Sequence, residues 1–310
     1  MPTDLDRKLT IKQLKLISVL GQALSMSRAA ELLHVSPPAL SRSLTQMEQA
    51  LGLVLFERTT RSMKLTPAGQ SLLRYANLIL GQLDQAQEEL EGLRYGSSGK
   101  ISIGVIPAFS PTLVGKAVRK LQSSMPGVKI DIQTEEANPL SQCLADGTID
   151  IMLSHAEFSA DMDALEIHEL YQEESSIICD PNHPLTKKAK VTINDVVSSP
   201  WILPRTETPL RKVLNRTIFV DRPQVTGSLS DIETDRYLQS LALLHDSSML
   251  TVIPRSQAIT YEKLGIIKRL HAPVKLLKGP MCSITLKKLQ LSEPTHRLLE
   301  LLQTFSKEME

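Results

Sequence analysis

Between Pro67 and Tyr95, apolar residues return at helical intervals: Leu72, Ala76, Ile79, Leu83, Ala86, Leu90 and Leu93, spaced 4, 3, 4, 3, 4 and 3 apart. This is a heptad seam, and it predicts one unbroken helix about 40 Å long. Its flanks are polar, with Gln82, Asp84, Gln85, Gln87, Glu88, Glu89 and Glu91. A stripe so narrow on a rod so long needs a partner, either the same helix of a second copy or the chain's own domain. On the first reading Leu72, Ala76, Ile79, Leu83, Ala86 and Leu90 hold a dimer together. The rod also divides the chain. Residues 1–66 precede it, 67–95 form it, and 96–310 follow a Gly96-Ser97-Ser98-Gly99 linker.

Three shorter helical patterns stand ahead of the rod. The first, Leu9 to Leu20, repeats Ile11, Leu14, Ile17 and Leu20. Ser27 reads as the N-cap of the second, Arg28 to Leu33. Ser36-Pro37-Pro38 starts the third, with Ser36 as cap and proline in the first turn. Leu40, Leu44, Met47 and Leu51 line its inner face, and Gly52 stops it. Leu53 to Arg58 and Met63 to Leu65 read as the strands of a hairpin, after which Thr66-Pro67 caps the rod.

The second and third helices have the layout of a helix-turn-helix. Ala30 is small where the two helices touch, His34 tolerates the positive φ of the turn, and Leu40 packs the second helix of the pair. Ser27, Ser36, Pro37, Pro38, Ser41, Arg42 and Thr45 then face outward, and short hydroxyls with one arginine suit base edges and phosphates. Arg58 and Arg61 on the hairpin suit phosphate or minor-groove contact. Charge agrees: residues 1–66 carry nine Lys/Arg against five Asp/Glu, or +4, while the remainder carries 26 against 29, or −3. A basic module on a mildly acidic body points to a polyanion, here double-stranded DNA.

The stretch from Ala29 to Leu44, AAELLHVSPPALSRSL, resembles the recognition signature of LysR-type transcriptional regulators, as do its continuation Met47 to Arg58 and the Leu65-Thr66-Pro67-Ala68-Gly69 that follows. The resemblance is dense over residues 14–75. It implies a winged helix-turn-helix, a dimerising linker helix and a two-lobed, periplasmic-binding-protein-like effector domain of α/β class. It further implies dimers that assemble to homotetramers on operator DNA and a small-molecule effector. Many members of that family carry Gln where this chain has Pro37, so readout there is apolar or absent.

Beyond the linker, strand and helix patterns alternate. Strands are expected at 100–106, 128–132, 149–153, 174–179, 201–203, 224–227 and 250–253, and helices at 113–121 and 140–145. This alternation predicts a parallel sheet with helices on both faces, in two lobes of about 100–165 plus 268–310 and about 166–267. Ligands of such sheets sit beyond the carboxyl ends of the strands. The edges that meet this rule are Ser110-Pro111, Ala137-Asn138, Ser154, the Arg205–Thr208 loop with Thr206 and Thr208, and Ser228. Ser110 and Pro111 read as a helix start, whose free N–H groups favour an anion such as a carboxylate.

Other classes fit less well. Cys143, Cys179 and Cys282 lie far apart and read as isolated thiols, and His155, His168 and His183 form no metal set, His183 being placed in an exposed turn. No P-loop, GxGxxG or nucleophile elbow accompanies the α/β body, and His245-Asp246-Ser247 lacks the spacing of a triad. No enzyme, metal or cofactor is therefore expected. The N-terminus shows no signal-peptide core and no apolar run nears ~20 residues, which argues against an exported solute-binding protein and for a cytoplasmic location.

Overall fold

The computed structural model describes residues 9–58, 63–95, 99–158, 162–220, 232–234, 236–287 and 290–309. Local capping sets the first elements. Thr10 opens α1 (Ile11–Ala23): its hydroxyl accepts the Gln13 N–H while the Gln13 side chain accepts the Thr10 N–H. Helix α2 (Met26–Leu32) is capped by Ser25 and not by Ser27. Ser25 has the extended backbone a cap needs, with its hydroxyl accepting the Arg28 N–H, whereas Ser27 already lies in the first turn. His34 does take positive φ, 53°, and turns the chain toward Ser36, which caps α3 (Pro37–Leu51). Gly52 closes α3 in the left-handed region, as expected.

The hairpin forms as β1 (Phe56–Arg58) and β2 (Met63–Leu65), paired antiparallel from Phe56↔Leu65 to Arg58↔Met63. It is tied to α3 by Glu48, whose carboxylate accepts the N–H groups of Leu55 (2.8 Å) and Phe56 (3.2 Å). Ile17, Leu20, Ala29, Ala30, Leu44 and Met47 are almost fully buried together beneath these elements. Thr66 starts α4 (Pro67–Tyr95), accepting the Gly69 N–H and donating to the Val54 carbonyl.

The chain forms two compact units. One comprises Met1–Gly104, Met125–Gln133 and Asn138–Met152; the other comprises Val105–Ser124, Thr134–Ala137 and Leu153–Glu310. Past the linker come β3 (Lys100–Val105), α5 (Pro111–Ser124), β4 (Lys129–Thr134), α6 (Ala137–Ala145) and β5 (Ile151–His155), with the strands in the order β5-β3-β4. Asp150 grips Ser102 twice: its carboxylate and its own N–H meet the Ser102 N–H and carbonyl, each at 2.7 Å.

The sheet expected to be parallel is antiparallel around one long strand. A 15-residue strand, β6 (Leu165–Cys179), replaces the short strand expected at 174–179, and its neighbours run against it. The elements after it are α7 (Ile193–Ser198), β7 (Ile202–Leu203), α8 (Pro209–Thr217), β8 (Ile232–Glu233), α9 (Tyr237–Leu244), β9 (Leu250–Pro254), α10 (Arg255–Lys263), β10 (Lys268–Leu270), β11 (Lys278–Leu286) and α11 (Glu293–Ser306). Strand β11 pairs antiparallel with β6 over Leu165–Glu174, and β9 and β10 pair with it beyond. Strands β7 and β8 pair in a short parallel ladder. A strand of this length flanked on both edges must satisfy its backbone groups there, and chains arriving from far along the sequence do so in either direction. The strand expected at 224–227 lies outside the described residues.

One side chain sits differently from expectation. His183 is 4% exposed, not open to solvent: its Nδ1 accepts the Leu185 N–H and its Nε2 donates to the Ser248 carbonyl. Trp201 is fully buried with its indole N–H on the Val196 carbonyl and its ring edge-to-face with Phe219. Next to it, α7 opens with a Thr192–Asp195 capping box that Lys188 completes at 2.6 Å. These contacts, the Lys188 hydrogen bond first, lower the Asp195 carboxyl from 3.8 to about 2. A depressed carboxylate stabilises the fold above its unfolded value and loses that contribution as pH falls through the folded one. Carboxyl-carbon NMR of the parent should therefore show an Asp195 midpoint near 2, and Lys188→Ala should move it upward. An unmoved midpoint would dissociate Lys188 from the cap.

Candidate functional site

At the front of the helix-turn-helix, Ser27, Ser36, Pro37, Pro38, Arg42 and Thr45 are exposed, with Ser41 half-buried. They cluster on the starts of α2 and α3 because Leu40, Leu44 and Met47 turn the opposite face of α3 into the core. The Arg58 backbone belongs to β1, while its side chain and Arg61 lie outside the described residues. A convex helix with exposed hydroxyls, one arginine and a hairpin beside it has the form of a major-groove reader with a wing.

Helix α4 divides its seam between two surroundings. Leu72 packs against the winged domain's core and Ala76 is fully buried there, so these two are spoken for within the chain. From the next turn onward the stripe is open: Ile79 is 44%, Leu83 44% and Leu90 67% exposed, and Ala86 is exposed too. Tyr75 adjoins them at 55%.

The predicted effector residues do not converge on one place. Ser110 caps α5 through its hydroxyl, on the Leu113 N–H, and is fully buried, with Pro111 exposed in the first turn. Its own N–H goes to the Tyr171 hydroxyl at 2.8 Å. Ser154 is fully buried on β5, which runs beside β3, and its Oγ has no partner; neither does the buried Nδ1 of His155. Ala137 is buried at the start of α6, and the Asn138 carbonyl accepts the Ser141 hydroxyl. Thr208 caps α8, Thr206 bonds the Glu207 carboxylate, and Arg205 lines a separate cavity of about 500 Å³ with Glu233, Thr234 and Gln239. Ser228 lies outside the described residues. A cavity of about 620 Å³ in the first unit, lined by Ser18, Asn77, Gly81, Lys129 and Asp146 among others, holds none of the predicted residues.

Two family descriptions match the sequence. Residues 11–70 fit the bacterial regulatory helix-turn-helix protein of the lysR family, and residues 94–306 fit the LysR substrate binding domain. The chain belongs to the LysR family. It is 30% identical over 265 residues to the HTH-type transcriptional regulator GbpR of Azospirillum brasilense, covering 84% of this chain and 76% of that one. It is 26% identical to the regulator of the same name in Rhizobium radiobacter, over 80% and 82% of the two chains. The fold is similar to a full-length OxyR variant from Pseudomonas aeruginosa, with TM-score 0.65, 21% identity and coverage of 96% and 95%. It is also similar to full-length CbnR complexed with its target DNA, with TM-score 0.62, 20% identity and coverage of 96% and 99%.

As a LysR-family chain, it is a DNA-binding transcriptional regulator and not an enzyme: a winged helix-turn-helix, a long helix and a periplasmic-binding-protein-like α/β effector domain. Around Ser110 this LysR-family member places residues that the sequence did not single out: Tyr171, Glu173, Ser256 and Gln257. Phe109 meets the Tyr171 ring edge-to-face at 5.5 Å, and the Gln257 amide donates to the Pro107 carbonyl at 2.7 Å. No local motif marks them, because each partner lies tens of residues away. The three cysteines are free thiols; burial pushes Cys179 up to about 12 and Cys282 up to about 11, which leaves little reactive thiolate. Among the described residues no helix is long and apolar enough to cross a membrane.

Proposed function

We propose that this regulator binds operator DNA as a dimer held by α4, that dimers assemble to tetramers, and that a small metabolite governs the response from the cytoplasm. The divisions carried forward are 1–66 for DNA binding, 67–95 for dimerisation and 96–310 for effector binding. The observation that carries the reading is the exposed front of α3, where Arg42, Thr45 and Ser36 stand clear of a core that buries the helix's other face. Pro37 has no donor to offer a base, so Arg42 and the hydroxyls bear the polar contacts. The seam left open from Ile79 to Leu90 supports dimerisation. The buried, unpartnered Ser154 hydroxyl, next to the Leu153 whose carbonyl accepts the Ile106 N–H at 3.1 Å just ahead of the Ser110 helix start, supports an effector at that corner.

The test is operator binding by fluorescence anisotropy across a salt series. Arg42→Ala should keep its melting curve, since Arg42 is exposed, but bind DNA more weakly. Loss of one phosphate contact should flatten the slope of log affinity against log salt by roughly one unit. A variant that binds and responds to salt like the parent would remove α3 from the groove.

A further inference from the structure

Two helices begin at the Ser110 corner, and both have given their leading N–H groups to the same strand. Helix α5 offers the Ser110 N–H, which the Tyr171 hydroxyl of β6 accepts at 2.8 Å. Helix α10 has no cap of its own, because Pro254 stands where a capping side chain would be. Its first turn is served instead by Glu173, two residues along β6 from Tyr171. One Glu173 oxygen accepts the Ser256 N–H and the Glu174 N–H, each at 3.1 Å, and the other accepts the Ser256 hydroxyl. The Tyr171 hydroxyl in turn faces the Glu173 and Ser256 side chains. Thr112 and Thr260 join the two helices by a hydroxyl pair at 3.1 Å. Glu173 is only 7% exposed, and the side-chain charges acting on Tyr171 and Tyr237 are carboxylates, Glu173 and Glu136.

A helix start attracts anions through its free N–H groups and its dipole. Here a carboxyl group is already in place: burial raises Glu173 above its usual value while the Ser256 hydroxyl and the neighbouring backbone N–H groups hold it down, and an acid entering the corner would find the Ser110 and Ser256 N–H groups taken and a second acid beside it. Nor is there a free oxygen for a cation, since one Glu173 oxygen accepts two backbone N–H groups and the other the Ser256 hydroxyl. Beside the corner on β5, next to the Leu153 carbonyl that accepts the Ile106 N–H at 3.1 Å, the buried Ser154 hydroxyl has no partner and can both donate and accept. We propose that Glu173 is a built-in anion for this corner, and that the effector taken there is an uncharged, hydrogen-bonding molecule rather than an acid. The second half of this inference rests on the corner being the effector site; the first half does not.

The full chain tests both. Acetate, titrated calorimetrically into the parent to about 100 mM against chloride at equal ionic strength, should give no saturable heat. Glu173→Ala should melt several degrees lower and recover in acetate, the small carboxylate entering where the side chain was, while the parent's melting point stays put. Saturable acetate binding by the parent would overturn the proposal, as would a folded Glu173→Ala that acetate does not rescue. If that variant does not fold, the parent titration decides alone. Thermal shift with glucitol against gluconate then reads the ligand class: stabilisation by gluconate, abolished in Tyr171→Phe, would overturn the uncharged assignment. An effector whose response is untouched by Ser154→Ala and Tyr171→Phe would fail the reading of the corner while leaving the acetate result on Glu173 intact.

Discussion

Leu83→Glu should abolish the dimer and with it tight operator binding. Leu83 sits in the open part of the α4 seam, between Ile79 and Leu90, with 44% of its surface exposed. A closed two-fold dimer brings the same stretch of both copies together, so one substitution places two carboxylates in an apolar contact. Each would have to be desolvated without a partner, a cost on the order of several kcal/mol. The fold of the winged domain should survive, because its core uses Leu72 and Ala76 and not Leu83. A single winged domain on one half-site has too few contacts to hold DNA at physiological salt. Light scattering should report a monomer mass, with circular dichroism unchanged. A mass equal to the parent's would give the seam to intrachain packing instead.

Gly69→Ala should be the most damaging single methyl in the DNA-binding half. Helix propensity alone predicts the reverse, since alanine in a helix interior is favoured over glycine by about 1 kcal/mol. Yet a Cβ at Gly69 would stand 2.1 Å from the Leu55 carbonyl oxygen and 3.0 Å from the Leu65 side chain. The nearer obstacle is backbone, and it is already engaged, accepting the Thr66 N–H at 3.0 Å. Relief requires the start of α4 to withdraw from the hairpin, which breaks the Thr66 bonds to Val54 and Leu55 as well. Overpacking of this severity costs about 3 kcal/mol or more. For a domain of this size that lowers the melting point by ~10 °C or more. Operator affinity should fall too, because the hairpin and α4 move apart. A variant that melts at or above the parent would show that the hairpin yields easily.

Where an element is determined by residues three or four apart, the sequence was enough. Ser36 with Pro37, Gly52, Thr66 with Pro67, and Ser110 with Pro111 all start or stop helices at the positions their chemistry requires. The positive φ of His34 follows the same rule, since the helix-turn-helix spacing leaves that residue no other conformation. A local misassignment of a cap, Ser27 for Ser25, arose because two serines two positions apart can each serve, and the backbone angle chooses between them. The heptad seam was legible as a stripe, but its division was not: burial of Leu72 and Ala76 depends on where the winged domain folds back.

The tertiary structure decided whatever joins residues far apart in the chain. Glu48 reaches the hairpin because α3 ends beside it, Tyr171 meets Ser110 across 61 residues, and Glu173 meets Ser256 across 83. Strand direction around β6 belongs here as well, because alternation of strands and helices does not say which strands pair. The anion expected at the Ser110 helix start shows the difference most clearly. Its N–H donors and dipole are properties of the local chain and were readable from Ser110 and Pro111 alone. Whether those donors are free for a ligand depends on which side chains the fold brings against them, and here it brings the Tyr171 hydroxyl, from a strand that no local pattern connects to that helix.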